Sequence, residues 1–192
     1  GDLCALDTTY RFNERIGDVA NRFVLQNPSQ LDKPLNSLTK GNKKSVVLLY
    51  EDALERLLDK MSGYVLDDEN ILILARYHYL KPEILNKAET RWPKLKIQFM
   101  TMHASKGQQA DHVIICGLNG GKEGFPAPAR ESIIEDALLP QPEHFEHAEE
   151  RRLFYVALTR AKQQAWLLYN PDNPSEFVEE LRQMGVPRQK KP

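Results

Sequence analysis

A run of apolar residues, Ser45-Val-Val-Leu-Leu-Tyr50, is followed directly by a segment with helical periodicity. In that segment Leu54, Leu57, Leu58 and Met61 recur at intervals of three and four residues, which places them on one face of an α-helix. A run of apolar residues without polar alternation is typical of a β-strand that is covered on both faces. The stretch therefore predicts one strand–helix unit of an α/β fold with a mostly parallel sheet.

The same pattern of short apolar runs separated by helical segments recurs along most of the chain. Further strands are predicted at Leu3–Leu6, Ile71–Ala75, Ile97–Thr101, Val113–Gly117 and Ala165–Tyr169. A helix is predicted to start at about Asn13, because Ile16, Val19 and Phe23 fall on one of its faces. The sequence therefore predicts a sheet with helices on both of its faces.

Length and composition limit the number of domains. With 192 residues, of which 41% are hydrophobic, the chain can bury one sizeable core, and we expect one domain over residues 1–185. Residues 186–192 are basic and proline-rich and are predicted to form a flexible tail. The proline-rich stretch Gly120–His147 is predicted to be an irregular surface excursion with a short helix at Arg130–Leu138.

The charges and cysteines argue against several functional classes. Lysine and arginine total 26 against 27 aspartate and glutamate residues, and this net charge of -1 argues against a generic polybasic nucleic-acid binder. The balance leaves room for a local groove of positive potential. Cys4 and Cys116 lie far apart without a paired-cysteine motif, which argues against structural zinc or disulfides and favours a reducing cytoplasm. No apolar run is long enough for a membrane span, so we expect no membrane partner.

Ligands of parallel α/β folds bind beyond the carboxyl ends of the strands, so the residues that follow each strand are the first candidates for a site. Arg11, in the segment Asp7-Thr-Thr-Tyr-Arg-Phe12, is expected at a strand–helix turn, where its guanidinium can reach over the edge of the sheet. From the residues alone, a surface arginine paired with Glu14 or Asp18 is the simpler interpretation of this position.

A second candidate follows the strand that begins at Ile97, in the segment Thr101-Met-His-Ala-Ser-Lys-Gly-Gln-Gln109. This polar turn is predicted to open a helix whose free N–H groups can hold an anion or a ribose. It is not a phosphate-binding loop, because the chain contains no Walker A motif. Taken singly, His103 is also typical of an ordinary turn and Ser105 of a helix cap.

A third candidate is the charged segment Glu149–Lys162. Leu153, Val156, Ala157 and Arg160 follow helical spacing, which predicts that Arg160 continues the buried stripe of a helix. Burying an arginine is costly unless its guanidinium meets an anion. A solvated helix, in which the acidic residues pair with neighbouring arginines, explains the ends of the segment but not this arginine.

Four segments together resemble the motifs of one helicase family. Thr101–Gly107 resembles motif V of the UvrD/Rep-type superfamily 1 DNA helicases, and Glu149–Ala161 resembles their motif VI. Tyr10–Arg11 is similar to motif IV, and Leu74–Arg76 to the segment that follows it. The matches occur in the family's order, and the motif VI match is the most specific of them.

The resemblance implies the second motor domain of such a helicase, a RecA-like (P-loop NTPase-like) domain that lacks its own phosphate loop. ATP with Mg²⁺ would be bound mainly by an N-terminal motor domain of the same protein. That domain and single-stranded DNA are the implied partners. The implied activity of the full-length protein is ATP-dependent 3′-to-5′ translocation and duplex unwinding, whereas this chain alone is expected to be inactive.

The resemblance also implies roles for individual residues on the nucleotide side. Arg160 corresponds to the arginine finger that reaches the γ-phosphate of ATP, and Arg11 corresponds to a second γ-phosphate contact. Gly107 and Gln109 belong to the nucleotide-binding part of motif V. Most relatives carry a glutamate where this chain has Gln109, so a ribose contact there would be made by an uncharged amide.

On the DNA side, the resemblance implies that Thr101, His103 and Arg76 contact phosphate and sugar, a mode of contact that carries no base information. Glu150, Arg151 and Tyr155 are expected to brace motif VI rather than to touch a ligand.

Two other functional classes stay open from the sequence. One is a non-catalytic DNA-binding or docking module derived from a helicase. The presence of both Arg11 and Arg160 argues against it, since such a module has no use for γ-phosphate contacts. The other is a subunit of a helicase–nuclease, in which a nuclease domain follows motif VI. The 32 residues after Arg160 are too few for that domain.

Overall fold

The computed structural model describes residues 8–26, 36–39, 41–128 and 147–189. Eight strands lie in these ranges: β1 (Thr8–Asn13), β2 (Asn36–Thr39), β3 (Val46–Tyr50), β4 (Asn70–Ala75), β5 (Lys96–Thr101), β6 (Ala110–Ile115), β7 (Ala161–Tyr169) and β8 (Arg188–Gln189). The helices there are α1 (Glu14–Val24), α2 (Leu54–Tyr64), α3 (Ala88–Arg91), α4 (Ala148–Leu158) and α5 (Glu176–Gln183). The predicted strand Leu3–Leu6 and helix Arg130–Leu138 lie outside these ranges.

Six of the strands form one sheet in the order β5-β4-β6-β7-β3-β8, and every neighbouring pair is parallel. β1 and β2 form a separate parallel pair. The parallel α/β fold that the apolar runs predict is confirmed. The runs find β3, β4, β5, β6 and β7; four of these strands carry a continuous apolar stretch, and in β5 only Gln98 interrupts it.

The core lies in two layers, one on each face of the large sheet. On one face, Phe23 of α1 packs against Phe154 of α4 and Phe177 of α5, with ring centroids 4.7 Å and 4.8 Å away. On the other face, Leu57 and Met61 of α2 are fully buried against the sheet. Both faces of the strands are therefore covered, which explains why the strands lack polar alternation.

The start of α1 is fixed by one polar side chain. Asn13, the last residue of β1, accepts a hydrogen bond from the Ile16 backbone N–H and caps the helix. Its Nδ2 donates to the Gln163 carbonyl of β7 at 2.7 Å and to Ser45 Oγ at 3.1 Å. Arg11 therefore lies within a strand and not, as the sequence predicts, at a strand–helix turn, because the strand continues to the capping residue.

Regular structure extends into the segment for which composition predicts a flexible tail. Gly185 has a φ of 91° and ends α5, and Val186 beyond it is 3% exposed. The Pro187 carbonyl then accepts from the Leu48 N–H at 2.8 Å, and β8 pairs with β3. Proline can hold this edge position because only its carbonyl is needed there.

The loop after β6 contains a glycine with no space for a side chain. A Cβ at Gly124 would lie 2.8 Å from the Gly120 carbonyl carbon and 2.9 Å from its oxygen. We expect Gly124→Ala to lower the free energy of unfolding by about 1–3 kcal/mol, because backbone would have to move. Gly63 is the matched control: it is exposed in α2, and a Cβ there meets nothing within 4 Å.

Gly63→Ala is expected to raise the free energy of unfolding by about 0.5–1 kcal/mol, since alanine restricts the unfolded chain and favours the helix. Urea unfolding of both variants measures the two changes. Shifts of the same sign would contradict the close backbone approach at Gly124.

Candidate functional site

The residues singled out from the sequence lie at two opposite edges of the large sheet. Arg76 directly follows β4, and Thr101 ends β5, so both lie at the carboxyl edge. Gln109 and Arg160 directly precede β6 and β7, so they lie at the amino edge. Of these four residues, only Arg76 and Thr101 therefore lie at the carboxyl ends of the strands, where the site is expected.

Arg160 lies in the tight turn between α4 and β7. The helix ends at Leu158, so Arg160 does not continue its buried stripe as the spacing predicts; Arg151, Phe154 and Ala157 form that stripe instead. Periodicity over the segment cannot show where the helix stops.

Arg160 is nevertheless only 8% exposed. Its Nε donates to the Val156 carbonyl at 2.8 Å, its Nη1 to the Gln108 carbonyl at 3.2 Å, and its Nη2 to Thr159 Oγ1 at 3.3 Å. These three bonds fix the plane of the guanidinium. Burial raises the pKa of the neighbouring Tyr155 hydroxyl, and the charge of Arg160 works against that rise.

The end of β1 lies on the same side of the domain as Arg160. Asn13 bonds Gln163, which stands three residues after Arg160 at the start of β7. The backbone of Arg11 is two residues before Asn13, so the strand brings Arg11 towards the amino edge of the large sheet. The side chain of Arg11 lies outside the described part of the chain.

Residues 102–109 run from the carboxyl edge of β5 to the amino edge of β6. Only His103–Ser105 forms a helical turn there, of the 3-10 type, so the predicted helix with an anion-binding N-terminus is wrong. A short connection must stay extended to cross the length of the sheet, and this leaves no room for an α-helix. Gly107 takes a φ of 85° in this segment.

Gln109 is the last residue of this connection and lies beside a shallow cavity of about 380 Å³. The cavity is lined mainly by polar side chains and by the amino ends of β4 and β5, including Asn70, Lys96 and Gln98. Its rim includes Gln108, whose carbonyl accepts from Arg160. The amino edge therefore combines a fixed guanidinium with a polar recess.

At the carboxyl edge, the predicted DNA-contacting residue Arg76 contacts both α4 and a second such residue, His103. Its Nε donates to both carboxylate oxygens of Glu150, at 3.0 Å and 3.3 Å, and its Nη1 lies 3.4 Å from His103 Nδ1. Thr101 pairs with Ala75 in the sheet, and its Oγ1 accepts from the Ala104 N–H at 3.2 Å. Thr101, His103 and Arg76 are thus brought together.

Sequence reasoning missed two features near these residues. Tyr77 and Tyr79, directly after Arg76, stack with their centroids 5.4 Å apart. Arg151 forms a bidentate ion pair with Glu180 of α5, and both N–O distances are 2.6 Å. The helical spacing of Arg151 and Phe154 carried a signal for the burial of this arginine, but nothing in the sequence identified Glu180 as its partner.

The ranges that the structure describes hold no group of three or more His, Cys, Asp and Glu side chains suited to a metal ion. Cys116 is a free thiol, and burial raises its pKa to about 12. Within the same ranges, no helix is long and apolar enough to cross a bilayer.

Comparison with known sequences identifies related proteins. Residues 51–172 match the family model of the UvrD-like helicase C-terminal domain. DNA helicase IV of Escherichia coli K12 is 66% identical over 192 residues, which is 100% of this chain and 28% of that protein. ATP-dependent DNA helicase Rep of the same organism is 30% identical over 138 residues, or 66% of this chain and 18% of that protein. The chain thus spans less than a third of these relatives.

Comparison with solved structures supports the fold. The C-terminal domain of a possible DNA helicase from Lactobacillus plantarum WCFS1 aligns with a TM-score of 0.55 and 16% identity. The alignment covers 94% of this chain and 98% of that one. Together with the sequence matches, it confirms the family resemblance and the fold class read from the motifs.

Proposed function

Because this chain belongs to the family of UvrD-like helicase C-terminal domains, we propose that it is the second motor domain of an ATP-dependent DNA helicase. In the full-length protein it works with an N-terminal motor domain that binds most of the ATP and Mg²⁺. The activity proposed for that protein is 3′-to-5′ translocation along single-stranded DNA and unwinding of duplex. The observation that carries the proposal is the buried, fixed guanidinium of Arg160 beside the polar recess at Gln109.

The amino edge suits the nucleotide. A phosphoryl group in transfer develops charge on its oxygens, and a guanidinium already held in place stabilises that charge without reorganisation. Arg160 has this property, since Val156 and Gln108 hold it from two elements. Arg11 is proposed as the second γ-phosphate contact. Gly107 and Gln109 are proposed to face the ribose.

These residues supply only part of a nucleotide-binding site, and the N-terminal motor domain has to supply the rest. Arginine, glutamine and backbone N–H groups can bind phosphate oxygens and hydroxyl groups. The chain contains no Walker A motif to enclose the phosphates. The nucleotide therefore has to sit between this edge and the N-terminal motor domain, and this chain alone does not complete the site.

The carboxyl edge suits the DNA backbone. The Thr101 hydroxyl, the His103 imidazole and the Arg76 guanidinium are the proposed contacts to phosphate and sugar. Their spacing along two adjacent strands gives a contact surface that does not depend on base sequence. Single-stranded DNA and nucleotide then occupy opposite edges of the sheet.

Two elements connect these edges. Near its start, α4 carries Glu150, which accepts a hydrogen bond from Arg76. The other end of α4 leads into Arg160. The segment 102–109 carries His103 at one end and Gln109 at the other. When ATP and the N-terminal motor domain close against Arg160, whose bonds to Val156 and Gln108 stay in place, the closure acts on both elements, and the DNA contacts change with them. Closure needs such a difference in contacts between the two states.

The experiment that tests this function is an ATPase assay with and without single-stranded DNA. It compares this chain alone with the full-length protein that contains it. We expect no turnover from the chain and DNA-stimulated turnover from the full-length protein. Turnover by the chain alone would mean that it holds a complete nucleotide site. No turnover from either would favour the non-catalytic DNA-binding or docking module.

A further inference from the structure

The turn after β4 carries an aromatic pair that the proposed motor function does not use. Tyr77 and Tyr79 lie with their rings nearly parallel, at an interplanar angle of 6°. The guanidinium of Arg76 lies over the Tyr77 ring, 4.7 Å from its centroid. Arg76, Tyr77 and Tyr79 thus form a stack at the carboxyl edge, in which the Tyr77 ring contacts both the guanidinium and the second ring.

The outer member of this stack is open to solvent. Tyr79 is 62% exposed, which makes it one of three exposed large hydrophobic residues in the described ranges. The turn beneath it is held in place by His78, whose ring packs edge-on against Phe99 at 5.7 Å. The turn that carries Tyr79 is therefore packed against β5, and the Tyr79 ring contacts Tyr77 while it stays open to solvent.

The stack adjoins the proposed DNA contacts. Arg76 is part of it, and His103 lies 3.4 Å from the Arg76 guanidinium. A strand whose phosphates meet Thr101, His103 and Arg76 would have its bases close to the turn that carries Tyr79. Flat aromatic side chains beside a backbone-binding groove are the usual means of holding unpaired bases, because every base has a π-face.

We propose that Tyr79, backed by Tyr77, is a stacking platform for an unpaired base of single-stranded DNA. The proposal rests on the DNA-binding role proposed above for Thr101, His103 and Arg76. It adds a contact to the base, whereas those residues contact only phosphate and sugar.

The electrostatics next to Tyr79 favour a base over a phosphate. Desolvation and the nearby Glu123 carboxylate raise the pKa of the Tyr79 hydroxyl, so a negative charge lies beside this neutral ring. A carboxylate at this position repels a phosphate, but it does not oppose stacking of a neutral base. Phosphate and base are thereby directed to different parts of the same edge.

The test measures binding of the full-length protein to two short probes of equal length, oligothymidylate and an abasic strand with the same phosphates. Tyr79→Ala is expected to weaken binding of oligothymidylate by about 5- to 100-fold, the range seen when one stacked base loses its aromatic partner. Binding of the abasic strand should not change. Tyr79→Phe keeps the ring and should bind both probes as the wild type does.

Tyr64→Ala is the matched control, because Tyr64 is also exposed but lies at the end of α2 and contacts Gln164 near the start of β7, at the amino edge. Equal binding of oligothymidylate by Tyr79→Ala and the wild type would overturn the proposal. So would an equal loss on both probes, which would mean a backbone or folding effect. A wild-type protein that binds neither probe would instead refute the underlying DNA-binding function.

Discussion

Replacing Arg160 with alanine in the full-length protein is expected to lower the DNA-stimulated kcat for ATP hydrolysis by about 10³–10⁵-fold. The KM for ATP should change little, because the guanidinium acts mainly on charge that develops in the transition state. The reason lies in the structure: Nε and Nη1 are already bonded to two carbonyls, so the charge is placed before the reaction begins. Steady-state ATPase kinetics at saturating single-stranded DNA measure both constants.

Two further variants separate catalysis from folding. Arg152→Ala removes an exposed arginine from α4, the helix that precedes Arg160, and should leave kcat unchanged. Arg160→Lys keeps the charge but loses the planar fork, and its kcat should fall between those of alanine and the wild type. Thermal unfolding checks that Arg160→Ala is folded at the assay temperature, since the Gln108 carbonyl loses a donor. Full turnover by folded Arg160→Ala would remove the arginine-finger assignment.

The sequence predicts most strands of the large sheet because the signal for each of them lies within the strand itself. β3 and β4 each carry four or more consecutive buried apolar residues, and such a run is visible without knowing its neighbours. β8 consists of Arg188 and Gln189, which form a strand only because the edge of β3 is available to them. Short polar strands of this kind depend on distant partners and cannot be found from periodicity.

The candidate site likewise has one part that local sequence predicts and another part that it does not predict. The motifs identify the residue types, and Arg76 and His103 lie together as expected for residues that follow adjacent strands. The placement of Arg160 and Gln109 at the opposite edge was not predictable from their local sequence. It depends on the end of α4 at Leu158 and on the extended path of residues 102–109, and both are set by the geometry of the sheet.

Removing one partner of the ion pair between Arg151 and Glu180 is expected to be strongly destabilising for this domain. The Arg151 side chain is 6% exposed and the Glu180 side chain 21%, and the guanidinium also lies 5.1 Å from the centroids of Phe23 and Phe177. We expect Arg151→Ala to lower the free energy of unfolding by about 3–5 kcal/mol, because it leaves a partly buried carboxylate without its partner. Urea unfolding of this chain measures the change.

A double-mutant cycle distinguishes the pair from the packing of the arginine stem. Glu180→Leu and Arg151→Met should each be strongly destabilising, whereas the two combined should be much less destabilising than either alone, since no charge remains unpaired. Arg182→Ala is the control: its pair with Glu179 has side chains 47% and 54% exposed and should contribute less than about 1 kcal/mol. Additive losses in the cycle would show that the two charges do not stabilise each other. Non-additive losses would show that α5, which lies beyond the matched residues 51–172, is coupled through this ion pair to α4, the helix that leads into Arg160.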